Sequence, residues 1–291
     1  MAYDPSVHAI VAFGAYYYSG SGTYVANNFT WAYANGSWTR LALAVEPPAR
    51  TSASLTYDAA DGYLLLFGGM GPSCGAPACT DTWELAGGRW TEAHPSTVPR
   101  TYWWTSAAYD AKAGYIVLVA ETAAGISTTW RWTGTTWAVL VPAKASPPIG
   151  KYSPFALAYD SSAGSVILAS SFNQSCPWGV FSICVRTWSF ANGTWTEISS
   201  LPPIPTFDLA LANDPGVQGV VLYASVPIGL GSSSRSETWI LHAGTWIRSS
   251  PTTSPPPLWS GPSAYDPTGG ILLLIGGVQS ARGTPEMWSF G

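Results

Sequence analysis

The chain has 291 residues, of which 47% are hydrophobic, 14% aromatic and only 10% charged, with a formal net charge of −4. This composition allows a sizeable core and excludes intrinsic disorder, and without a Lys/Arg run it argues against binding nucleic acid through phosphates. Only 3 His are present, which limits metal and acid–base chemistry, and no apolar stretch approaches the roughly 20 residues of a membrane-spanning helix.

From the N-terminus, MAYDPSVHAI has neither the basic flank nor the apolar core of a signal peptide. Tyr3-Asp4 precedes a small-residue turn and then the apolar run AIVAFG. The same unit returns at Tyr57-Asp58 before YLLLFGG, Tyr109-Asp110 before YIVLVA, Tyr159-Asp160 before SVILAS, Asn213-Asp214 before GVVLYA and Tyr265-Asp266 before ILLLIGG. The Asp residues lie 54, 52, 50, 54 and 52 positions apart. Short runs rich in Val, Ile, Leu and aromatics, bounded by Gly, read as buried strands. Because the Asp recurs in every unit, its expected role is to cap a β-turn with its side chain, not to catalyse.

Two Trp seven residues apart follow each of the first five runs: Trp31 and Trp38, Trp83 and Trp90, Trp130 and Trp137, Trp188 and Trp195, Trp239 and Trp246. Asn-Gly, Gly-Gly or Ala-Gly lies between most of these pairs, the chemistry of hairpin turns that need positive φ. Each unit is therefore two hairpins, giving four strands: A ends in the Asp, B is the apolar run, and C and D carry the two Trp. Four strands recurring every 50-odd residues predict an all-β chain, a six-bladed β-propeller of four-stranded antiparallel blades. The blades fall at approximately 1–42, 43–94, 95–142, 143–199, 200–250 and 251–291 of a single domain. The ladder Trp, Trp288 included, are expected to wedge between blades as core. A Trp platform for sugars would have to come from Trp103, Trp104, Trp178 or Trp259.

The sixth unit has A, B and C strands, the last around Met287-Trp288-Ser289-Phe290, but no D strand. By the spacing of the other units, about 20 residues would complete it. The expectation is that the chain is a segment of a longer protein. Flanking sequence could close the ring, a neighbouring subunit could supply the strand, or the last blade could be three-stranded.

The A–B–C–D order, with Phe67-Gly68-Gly69 and Ile275-Gly276-Gly277 ending strand B and a Trp starting strand D, resembles the kelch repeat. Ala49-Arg50 and Pro99-Arg100 echo the Pro-Arg that precedes strand A in that family. The resemblance spans the whole chain, although blades one, three, four and five have FGA, VAE, ASS and YAS at the diglycine and strand C carries Trp in place of Tyr. The nearest flavour is the secreted, Trp-rich kelch-like proteins of archaeal and bacterial surfaces. It implies a propeller; it does not imply one function, because such folds serve binding, assembly and catalysis alike.

The four Cys form two local pairs, Cys74 with Cys79 and Cys176 with Cys184, each in a B–C loop. They are expected to be disulfides, which need an oxidising compartment, since CxxxxC is not a usual zinc spacing. Four sequons agree with an extracellular or cell-surface location: Asn28, Asn35, Asn173 and Asn192. Asn35 and Asn192 also suit C–D turns for backbone reasons alone.

His8 and His242 fall in A–B and C–D turns, on the face opposite His94, so no His-based metal site is expected. With the Cys bridged, the Tyr–Cys copper centre of kelch-like oxidases is not expected either, and the Ser-X-Asp-X-Gly-X-X-Trp box of sialidase propellers is missing. No cofactor and no enzymatic activity are expected. What remains is a binding face of B–C loops: Ala15–Asn27 with Tyr16, Tyr17, Tyr18 and Tyr24, the bridged Met70–Thr80, and Ser171–Val185 with Trp178 and Phe181. The expected role is a protein- or glycan-interaction module at a cell surface. The alternative is a structural subunit that joins copies of itself through the open blade edge, and a propeller-scaffold enzyme is third.

Overall fold

The computed structural model describes residues 1–18, 24–75, 78–102, 104–122, 124–141, 146–149, 153–173, 183–198, 204, 206, 208–228, 234–257, 261–276 and 286–290. They form six antiparallel sheets in chain order. The first is β1 (Ala2–Asp4), β2 (Ala9–Tyr18), β3 (Tyr24–Ala34) and β4 (Ser37–Leu41). The second is β5 (Ser54–Asp58), β6 (Tyr63–Phe67), β7 (Thr82–Ala86) and β8 (Arg89–Ala93). The third is β9 (Thr105–Asp110), β10 (Tyr115–Glu121), β11 (Ser127–Trp132) and β12 (Trp137–Val141). The fourth is β13 (Phe155–Asp160), β14 (Ser165–Asn173), β15 (Ile183–Ala191) and β16 (Thr194–Ile198). The fifth is β17 (Asp208–Asp214), β18 (Gly219–Pro227), β19 (Ser234–His242) and β20 (Thr245–Ser249). The sixth has three strands, β21 (Ser263–Asp266), β22 (Ile271–Gly276) and β23 (Glu286–Phe290). A single 3-10 turn, Pro215–Val217, is the one helical element among the described residues.

The first strands of the blades touch in cyclic order: β1 meets β5, β5 meets β9, β9 meets β13, β13 meets β17, β17 meets β21, and β21 meets β1. The ring is closed, and the fold is the expected six-bladed propeller. Hydrophobic alternation explains why. On β6, Leu64 and Leu66 pack with blade one residues such as Val11, while Leu65 and Phe67 pack with Ile116 and Leu118 of blade three. A strand that faces a neighbour on both sides must be apolar at both parities, so the run is unbroken.

The repeated Asp does what its recurrence implied. Oδ1 of Asp4, Asp58, Asp110, Asp160, Asp214 and Asp266 accepts from the backbone N–H two residues on, at 2.8 to 3.1 Å. These are Asx turns, and they pin every A–B hairpin. At the C–D turns Asn35-Gly36, Gly87-Gly88, Asn192-Gly193 and Ala243-Gly244 hold positive φ at both central residues. The diglycine of blade two has a packing reason as well. Gly68 sits at φ +76°, and a Cβ there would lie 2.6 Å from the Thr105 hydroxyl of the next blade.

Candidate functional site

The D-strand Trp lock the blades to one another. Trp90 Nε1 donates to Thr30 Oγ1 of the preceding blade at 3.0 Å, Trp137 to Thr82 at 3.1 Å, Trp195 to Thr129 at 2.9 Å and Trp246 to Thr187 at 3.0 Å. In each case the acceptor is the residue just before the C-strand Trp. Around Trp90 the socket is made by Val11 and Phe13 of blade one and by Leu64, Leu66, Trp83 and Leu85 of its own blade. The indole thus fills an apolar seam while its single N–H finds a buried hydroxyl. At the seam between blades six and one the same register holds with a different acceptor: Trp38 Nε1 lies 3.3 Å from Met287 Sδ.

The C-strand Trp serve a second purpose. Trp83 donates to Asp81 at 2.7 Å, Trp130 to Thr128 at 2.9 Å and Trp239 to Glu237 at 3.1 Å, each two residues back. Asp81 also takes both guanidinium arms of Arg50, at 2.7 and 2.5 Å, and Arg50 donates to the Pro48 and Gly68 carbonyls. Arg50 is fully buried, so the Arg before strand A is a strut between the D–A loop, strand B and strand C. Burial pushes the Asp81 carboxyl up, but the hydrogen bonds and charge of Arg50 outweigh it and hold the group below its ordinary value of 3.8. Glu237 is likewise gripped by Arg235 and Arg248.

The A–B and C–D turns lie on one face of the ring, and the B–C and D–A connections on the other. Three hairpins rise on the latter face. Blade one continues from Ala12↔Trp31 to Tyr18↔Tyr24, blade four from Leu168↔Trp188 to Asn173↔Ile183, and blade five from Leu222↔Trp239 to Pro227↔Ser234. At about 3.4 Å per residue these extend about 15–20 Å past the Trp row. The expected loops Ala15–Asn27 and Ser171–Val185 are therefore only partly loops. Tyr16, Tyr17, Tyr18 and Tyr24 are paired strand residues, as are Ser171–Asn173 and Ile183–Val185. Tyr and β-branched residues favour the pleated ladder, and this carries pairing outward to the tip. Asn28 accordingly stands inside β3, and the blade five hairpin is a member of this face that loop composition did not reveal.

Trp178 and Phe181 lie outside the described residues, as do Trp103, Trp259 and Cys176. Trp104, a candidate platform, instead packs against the buried cluster between blades three and four. Cys74 and Cys79 are disulfide-bonded with Cα atoms 4.7 Å apart, closing the B–C loop of blade two, and Cys184 is also disulfide-bonded. Asn35 and Asn192 are exposed at their turns. Among the described residues no group of three or more His, Cys, Asp and Glu is placed to hold a metal, and no helix is long and apolar enough to cross a membrane.

One titratable group was not anticipated. Asp208 starts β17 at the inner rim of the hairpin face, and burial pushes its carboxyl up to about 7, with only the Leu209 N–H at 2.8 Å pulling it down. Nothing in the local sequence marks it, because the A strands of the other blades do not begin with a carboxylate.

No protein-family model matches the sequence, and no curated protein matches it. Solved structures do match in fold. The SapL1 lectin, solved with alpha methyl fucoside, superposes with a TM-score of 0.63 at 12% identity, covering 97% of this chain and 92% of that one. The Aleuria aurantia lectin superposes at 0.58 with 11% identity when solved with Fucalpha1-6GlcNAc, covering 84% of this chain and 77% of that one. A second structure of the same lectin, described as a six-bladed β-propeller with a novel fucose recognition mode, gives 0.58 at 10% identity and covers 82% and 74%. At these identities the likeness is one of fold. The structural neighbours are fucose-binding lectin propellers.

Proposed function

We propose that this chain is an extracellular, non-catalytic propeller of kelch-like repeats that binds glycans through its hairpin face. The observation that carries this reading is the set of three long hairpins, in blades one, four and five, standing on one face of a closed ring. A rigid ring that holds projecting, aromatic-rich segments at fixed spacing is the physical basis of a recognition face. The lectins of the same fold support a glycan over a protein ligand. The Cys74–Cys79 bridge supports an oxidising compartment. Asn28, Asn35, Asn173 and Asn192 are proposed as N-glycan acceptors, and Cys184 is proposed to pair with Cys176.

The test is a glycan array with fucose-terminated and non-fucosylated ligands, followed by calorimetric titration of the best binder. Selective retention of a glycan class is expected, with micromolar to millimolar affinity. Changing Tyr16, Tyr17 and Tyr18 together to Ser should abolish it while the thermal midpoint stays within a few degrees. A protein that retains no glycan at millimolar concentration overturns the reading.

A further inference from the structure

The outer strands of blades one to five share one pattern, and blade three breaks it. The D-strand residue that pairs with the C-strand Trp is Arg40 in blade one, Glu92 in blade two, Glu197 in blade four and Arg248 in blade five. In blade three it is Val139, opposite Trp130. The strand β12, Trp137-Ala138-Val139-Leu140-Val141, carries no charged or hydroxyl side chain at all. Val139 is 56% exposed, more than any other large hydrophobic residue described. Arg131, opposite Ala138 on β11, lies over the Tyr115 ring of β10 and so is turned away from β12. A charge on an edge strand guards it against pairing with another chain, and β12 lacks that guard. Its backbone is presented as well. Trp137 N–H donates to the Thr97 carbonyl, away from β11. Backbone groups alternate in direction along a strand, so the N–H and C=O of Val139 also point outward. Among the described residues β12 pairs only with β11.

We propose that β12 is the interface of a homodimer, in which the β12 strands of two copies pair antiparallel about a two-fold axis at Val139. The occupant is a second copy because self-pairing is what this strand allows and the other outer strands forbid. A two-fold sets the residue on the axis opposite its own counterpart, with Cα atoms about 5.5 Å apart. On β4, β8, β16 and β20 that would set Arg40, Glu92, Glu197 or Arg248 against the same charge, and like charges directly opposite repel. On β12 it sets Val against Val, a residue that suits the pleated ladder. Each Val139 N–H then donates to the carbonyl of the other copy. The interface is isologous, so it closes at two copies and does not propagate into a filament. The ladder bulges at Leu140, between Trp130↔Val139 and Thr129↔Val141, which keeps the pairing short and the dimer weak. The strands run from one face of the ring to the other, so antiparallel pairing points the two hairpin faces in opposite directions. The dimer does not depend on the glycan reading; that reading adds only the consequence that one dimer bridges two glycan-bearing surfaces.

The experiment is sedimentation velocity of the 291-residue chain from micromolar to millimolar concentration. A reversible monomer–dimer equilibrium is expected. Val139→Glu installs the residue type of blades two and four, and Val139→Arg that of blades one and five. Each should weaken the dimer about tenfold or more, because like charges then face each other. An equimolar mixture of the two variants should dimerise again, since Glu then faces Arg, a rescue that a merely structural role for Val139 does not produce. Ile247→Glu, at a similarly exposed position on the outer strand of blade five, should leave the equilibrium unchanged. Near-native circular dichroism of the three variants shows that they fold. A parent chain that stays monomeric to about 1 mM overturns the proposal. So does a dimer that persists in Val139→Glu, a mixture that stays monomeric, or a dimer that Ile247→Glu dissociates.

Discussion

The Trp–Thr lock can be measured at the seam between blades two and three. Trp137 is 1% exposed, its ring lies 5.0 Å from Phe67 and 5.1 Å from Trp132, and its N–H donates to Thr82 Oγ1 at 3.1 Å. Thr82 itself is 0% exposed. Trp137→Phe keeps an aromatic ring in the seam but removes about 40 Å³, which costs about 1 kcal/mol through the cavity. It also leaves the Thr82 hydroxyl buried without its indole partner, at about 1–3 kcal/mol. Thr82→Val keeps the shape and leaves a buried indole N–H with no acceptor, again about 1–3 kcal/mol. In the double variant neither group is stranded, so its loss should fall short of the sum of the singles by at least about 1 kcal/mol. Urea denaturation of the four proteins, read by near-ultraviolet circular dichroism, completes the cycle. If the two losses add to within about 0.3 kcal/mol, the hydrogen bond does not lock the seam and the Trp acts by bulk alone.

Two other predictions concern charge. Arg50→Met strands the Asp81 carboxylate against buried carbonyls and should destabilise by about 3–5 kcal/mol in a denaturant titration, whereas a surface change such as Arg89→Met should fall within about 0.5 kcal/mol. The Asp81 carboxyl is depressed in the folded state, so the stability it contributes is present above 3.8 and is lost as pH falls below that value. Asp208 has the opposite sign: raised from 3.8 to about 7, it makes the folded state bind the extra proton, so stability is full below about 4 and is lost as pH rises toward 7. Thermal midpoints from pH 4 to pH 8 should decline in the parent chain and stay flatter in Asp208→Asn; parallel profiles would refute the burial of that carboxyl.

Much of this architecture was legible because propellers repeat. An Asp turn that returns five times at nearly constant spacing, preceded by Tyr in every blade but the fifth, is a stronger signal than any single strand propensity, since each copy votes for the same register. The Asx role of Asp58 or Asp266 followed from recurrence alone, and the positive φ of Asn35 and Asn192 from Asn-Gly chemistry. Three things were hidden. The long hairpins of blades one, four and five look like loops when Gly, Ser and Asn are read as turn formers, yet paired Tyr and Val extend the ladder through them. Arg50 looks like a surface cation until the fold brings Asp81, 31 residues away, against it. Asp208 is half-buried as a residue, and its carboxyl is desolvated by packing that no local pattern encodes.

The seams differ in what holds them together. The first strands form an unbroken circle, and that contact is independent of the outermost strands. The D strand adds a bolt at each seam, and the bolts are graded by acceptor. Four seams have a Thr hydroxyl, and the seam between blades six and one has the thioether of Met287, a weak acceptor that is 43% exposed. That seam keeps apolar packing of Ile10, Tyr33, Ala264 and Leu273, with Tyr3 and Thr268 bonded through their hydroxyls at 3.2 Å. The seam between blades five and six has two small clusters, around Tyr223 and around Val221, where the seam between blades four and five has one large cluster of buried residues. Hydrophobic burial near the axis therefore keeps blade six in the circle.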